Sequence, residues 1–117
     1  MTFDYQRRQR RATRLIKKMG NPALLKTTTS ERECFAYEVM ISPTERRSLI
    51  ANADSVYLVA AEGLSTPPDQ DNETLVILDR STREEIRWQR MVTPPIPFAP
   101  AGINIYWELN TQGQARG

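Results

Sequence analysis

The residues best placed to do chemistry in this chain are the cations at its start. Arg7, Arg8, Arg10, Arg11, Arg14, Lys17 and Lys18 stand in the first twenty residues against one acid, Asp4, a local net of +6. The other ninety-seven residues hold nine basic and thirteen acidic groups, a net of −4. The total of +2 therefore conceals a basic arm on a mildly acidic body. Such an arm suits an anion: nucleic-acid phosphate or an acidic protein surface. Each duplex phosphate neutralised would steepen the salt dependence of binding by a slope of about 0.9. No aromatic cluster interleaves with the arginines to stack bases, and no base-reading motif follows, so only non-specific contact with nucleic acid is expected. A merely solvated helix face is the plain alternative.

Catalytic chemistry is poorly provided for. The chain has no histidine, which removes the commonest general base and metal ligand. With a single cysteine, zinc sites of the Cys/His kind are excluded. Glu84, Glu85 and Glu108 have no evident partner for acid–base work. The expectation is a protein without catalytic site, cofactor or metal. Cys34 lies in an apolar alternating stretch and reads as a buried, inert thiol. No apolar run reaches the about eighteen residues of a membrane span, and no apolar segment follows the basic start as in a secretory signal. An intracellular origin is expected, and the sequon Asn72-Glu73-Thr74 then carries no meaning.

The elements that must position the cations can be read from periodicity. Residues 4–19 predict one helix: Ala12, Leu15, Ile16 and Met19 form an apolar stripe, Gly20 ends it, and Asn21-Pro22 forbids continuation. The stripe is short, so the helix is expected to dock by its C-terminal half and project its N-terminal half. From Ala23 the period changes to two. Strands are expected at Ala23–Thr29, around Phe35, Tyr37, Val39 and Ile41, at Val56–Ala61, at Leu75–Leu78, around Ile86, Trp88 and Val92, and around Ile103, Ile105, Trp107 and Leu109. Trp88 and Trp107 read as core residues. Asp79 to Arg83 is a hairpin turn, and Ser65–Asn72 is a loop. Thr93–Gly102 holds four prolines and is expected to be an ordered, extended loop. Ser42-Pro43-Thr44-Glu45 is a capping box, but the stretch to Asp54 is expected to be loop with at most one helical turn. The reading is a mainly β fold: a small antiparallel barrel or sandwich of about six strands with an N-terminal α-helix. Its parts are a basic helical arm (1–22), a β domain (23–111) and a flexible tail (112–117).

Two loops are candidate interfaces. One carries Pro67, Pro68, Asp69 and Asp71. The other carries Pro95, Ile96, Pro97 and Phe98, whose prolines lower the entropy lost when it seats on a neighbour.

The order of these pieces resembles a known family. Phe3-Asp4-Tyr5, the basic helix ending Leu15-Ile16-Lys17-Lys18-Met19-Gly20, and Pro22-Ala23-Leu24-Leu25 are similar to the start of small tailed-phage and prophage head–tail connector proteins. Val56-Tyr57-Leu58-Val59-Ala60-Ala61-Glu62-Gly63-Leu64 resembles that family's central strand and turn. Pro100-Ala101-Gly102 leading into Ile105-Tyr106-Trp107-Glu108-Leu109 resembles its closing loop and strand. The resemblance implies a head-completion protein of the stopper or lambda-type joining class. Such a protein is a small barrel with an N-terminal helix, without catalytic site, assembling with itself in a six- or twelve-fold ring between portal and tail around the DNA channel. Its partners would be the portal or adaptor ring, tail proteins and, non-specifically, DNA, but no membrane. It would be made in the host cytoplasm and reside in the virion. The family's usual glycines are absent from the hairpin at Asp79–Arg83. Two other readings stand beside this one: a small basic-armed nucleic-acid-binding barrel, and a tail-terminator or tail-completion protein.

Overall fold

The period-two stretches pair into one closed sheet. A computed structural model describes residues 5–40 and 53–115, and among these are one α-helix, a single 3-10 turn at Pro100–Gly102 and seven strands. The elements are α1 (Tyr5–Met19), β1 (Asn21–Lys26), β2 (Glu31–Val39), β3 (Ser55–Ala60), β4 (Thr74–Leu78), β5 (Glu85–Met91), β6 (Ile96–Phe98) and β7 (Tyr106–Gly113). Neighbours run β3-β2-β1-β4-β5-β7, and β3 pairs again with β7 to close a six-stranded antiparallel barrel. The Ile41 end of the second expected strand and most of the expected Ser42–Asp54 loop fall on residues 41–52, outside the described residues.

β6 is the extra strand. It lies on the same edge of β7 as β5 does: Met91 faces Thr111, and Ile96 faces Glu108. The proline-rich stretch after β5 thus bulges and rejoins the sheet, where an unpaired loop was expected. Prolines are tolerated because β6 is an outer strand that need not donate from every N–H.

The barrel interior is narrow, and this decides which residues enter it. Ala23, Leu25, Cys34, Ala36, Tyr57, Val59, Leu75, Ile77, Met91 and Leu109 form the buried cluster, with Trp107 packed against it. On β2 the small residues Cys34 and Ala36 face inward, while Phe35 and Tyr37 stand outside on the side covered by α1. β5 corrects the sequence expectation more sharply. Its buried residues are Gln89 and Met91, whereas Ile86 is exposed. Gln89 enters because Thr111 Oγ1 lies 3.0 Å from its Oε1. Trp88 is half-buried on the outer surface, with Lys26 Nζ 5.3 Å above its ring and its Nε1 donating to Glu85. Only Trp107 is a core tryptophan.

Boundaries shift for local reasons. β1 ends at Lys26 because the Thr27 hydroxyl accepts from the Thr29 and Ser30 amides and makes a turn of residues expected in the strand. β7 reaches Gly113, two residues into the expected tail, because Gln112 and Gly113 pair with β5 and the Gly113 amide donates to Asp54. The hairpin after β4 lacks glycine. Arg83 itself takes the left-handed conformation at φ 63°, and the Asp79 carboxylate accepts from the Ser81 and Thr82 amides. Those hydrogen bonds hold the Asp79 carboxyl below its usual range.

Candidate functional site

Helix periodicity divides α1 into faces. Gln9, Thr13, Ile16 and Gly20 recur along one line that meets the barrel. Thr13 and Ile16 are buried, and Gln9 Nε2 donates to the Asn104 carbonyl at 2.7 Å. Docking therefore extends into the N-terminal half that was expected to project. Gly20 is the contact point at the other end. A Cβ there would overlap the carbonyl oxygens of Ala36 and Ile16, so only glycine permits the helix to approach β2 this closely.

Opposite the barrel, Arg7, Arg11, Arg14 and Lys18 line up on the solvent face at the same spacing, and all four are exposed. α1 carries no acid in its first turn to offset them. Arg10 and Lys17 occupy one flank, where Lys17 Nζ sits 5.1 Å over the Phe35 ring and Arg80 donates to the Lys17 carbonyl. Arg8 occupies the other flank with Ala12, Leu15 and Met19. The seven sequence-identified cations are thus spread over about half of the helix circumference, with four of them in one row.

The Arg8 flank is unexpectedly apolar. Leu15 and Met19, read from the sequence as part of a docking stripe, are 52% and 59% exposed. They line, with Ala12, Ile16, Tyr37, Leu58 and Tyr106, a groove of about 260 Å³ between helix and barrel. Tyr106 also stacks on Phe98, with ring centroids 4.9 Å apart. The groove and the exposed β6 residues Ile96 and Phe98 are therefore one continuous surface.

The two proline-bearing loops come together at one end of the barrel. Thr66, Pro67, Pro68, Asp69 and Asp71 share a shallow groove with Pro94 and Pro95. Pro67, Asp69 and Asp71 are exposed there, and Pro68 is buried. A residue not singled out from sequence holds this loop. Arg32 donates to both Glu73 carboxylate oxygens, to the Thr66 carbonyl and hydroxyl, and to the Pro67 carbonyl. Its only sequence signal was a cation on the same face of an alternating strand as Cys34 and Ala36. Asp69 closes the loop by accepting from Asp71 and Asn72, contacts that keep its carboxyl below the usual range.

Of the remaining candidate groups, Glu85 and Cys34 have structural roles. Glu85 Oε2 lies 2.8 Å from Lys26 Nζ, a contact that raises the lysine's pKa. Cys34 is buried, and desolvation pushes its thiol up to about 12. Among the described residues no group of His, Cys, Asp and Glu stands close enough to hold a metal ion, and no helix is long and apolar enough to cross a membrane. What the surface offers is a row of cations, an apolar groove beside it and two joined loops. No family model, curated protein or solved structure matches this chain.

Proposed function

We propose that this chain is a structural subunit of a ring at a phage head–tail junction, a head-completion or stopper protein joining the portal assembly to the tail around the DNA channel. The observation that carries the reading is architectural. A closed six-stranded barrel has a basic helix preceding its first strand and lying on its outer surface, and a proline-bearing segment leads into its last strand. That is the form the sequence motifs imply. The cationic row of α1 supports docking to an acidic protein surface first and to DNA phosphate second, because it is dense in charge but holds no stacking aromatics. The joined loops and β6 supply candidate contacts to neighbouring copies, the portal or adaptor ring and the tail.

The test is assembly. The purified protein is mixed with portal rings, and native mass and electron microscopy follow whether it joins them as a ring. Joining is expected, and Arg11→Ala/Arg14→Ala/Lys18→Ala should weaken it while circular dichroism stays unchanged. A protein that never joins portal rings refutes the reading. The same cationic row supports a second one, a monomeric or dimeric nucleic-acid-binding barrel. That reading gains if salt-sensitive duplex binding disappears on removing residues 1–20 while no ring forms.

A further inference from the structure

The apolar flank of α1 is left largely uncovered. Burying carbon is worth about 25 cal/mol per Å², yet Leu15 and Met19 remain more than half exposed beside Tyr37, Leu58 and Tyr106. A continuous apolar strip edged by polar residues marks an interaction site. This strip runs from Met19 through the groove to Tyr106, Phe98 and Ile96.

Its edges are unlike each other. Along the helix side the next residues around α1 are Arg11 and Lys18, both exposed. On the far side stands Glu108, two residues on from Tyr106 on the same face of β7 and opposite Leu58 and Ile96 in register. An occupant thus meets carbon on the floor, positive charge along the Arg11 and Lys18 edge and at Arg8 on the N-terminal end of the flank, and a carboxylate on the far side.

We infer that this groove docks an amphipathic acidic segment of another protein. That segment would be a short helix presenting aliphatic side chains to Leu15, Met19, Leu58 and Tyr106, with carboxylates along the edge that faces Arg11 and Lys18. Helix-in-groove recognition reads such anchors at spacings of three and four residues. A second copy of this chain is a poorer fit. Outside the strip the exposed large apolar residues among those described are Met40 and Ile86, single side chains just past β2 and on β5 rather than a row spaced three or four residues apart. The inference stands on the groove and not on the ring reading, and it is tested on the purified protein alone, so either can fail without the other.

The experiment uses two synthetic helical peptides with the same leucine face, one edged with glutamates and one with lysines, followed by fluorescence anisotropy. The glutamate-edged peptide should bind at least about tenfold more tightly. Leu15→Asp and Met19→Asp alter exposed side chains and should leave the fold intact by circular dichroism while abolishing that binding. Arg11→Glu/Lys18→Glu should invert the preference toward the lysine-edged peptide, a gain that misfolding cannot produce. Equal binding of the two peptides, binding of neither, or binding indifferent to Leu15→Asp overturns the proposal. So does an oligomer in solution that Leu15→Asp dissolves, which would make a second copy the occupant.

Discussion

The two ends of β2 set the same chemistry in different surroundings. Arg32 stands near its start and Glu38 near its end, on the same face as Cys34 and Ala36. Each meets an opposite charge at the mouth of the barrel. Arg32 lies 2.6 Å from Glu73, whose side chain is 7% exposed, and spends its other donors on the Thr66 and Pro67 backbone. Glu38 lies 2.8 Å from Arg87, with both side chains open to water and the Tyr57 hydroxyl bridging them. Distance barely differs. Solvent access and the number of supporting hydrogen bonds do, and these decide how much an ion pair contributes. The first pair holds a loop to the barrel. The second decorates its rim.

The largest test of this contrast is Arg32→Ala. It strands a buried carboxylate and unpins the loop, so stability should fall by about 3 kcal/mol in urea denaturation. A loss below about 1 kcal/mol would put it among exposed pairs and erase the difference. At the Glu38 end the close approach of α1 matters more than charge. Gly20→Ala forces the helix away from the Ala36 carbonyl and should cost about 2 kcal/mol by the same measurement. Arg87→Ala should cost only about 0.5 kcal/mol, and a larger value would promote the rim pair to a structural one.

Acid provides the finest comparison, because each end has one carboxylate held below its ordinary range by hydrogen bonds, Asp69 in the pinned loop and Asp79 in the hairpin. A depressed folded pKa stabilises the fold above the unfolded value of about 3.9. That contribution is lost as pH falls through the folded pKa. Thermal midpoints should therefore drop below about pH 4, with Asp69→Asn and Asp79→Asn each flattening part of the decline.

The existence of six of the seven strands was legible because alternation is local. β7 shows this: Ile105, Trp107 and Leu109 alternate with polar residues and do face inward. β5 looked equally clear but has the reverse orientation. Ile86 and Trp88 are the larger apolar residues, yet the interior takes Gln89, because its partner Thr111 arrives from a strand twenty-two residues away. A polar residue satisfied by a distant neighbour leaves no local mark. β6 was hidden for a related reason, since its prolines argue against a strand until β7 is known to offer an edge. On α1 the cations were plain, but the division of its apolar stripe was not. Gln9 takes the barrel contact through its hydrogen bond to Asn104, Thr13 is buried with its hydroxyl bonded back to the Gln9 carbonyl of its own helix, and Leu15 and Met19 are left outside.

Cys34 gives these comparisons a common clock. It is the chain's single cysteine, enclosed by the strands whose closure makes the barrel. Its thiol is pushed up to about 12, so at neutral pH almost none is present as the reactive thiolate. A thiol reagent can label it only when the barrel opens. Where reclosing is fast, the labelling rate reports the free energy of opening, and where it is slow, the opening rate itself. The unmodified protein therefore carries an intrinsic reporter of how long its barrel stays shut.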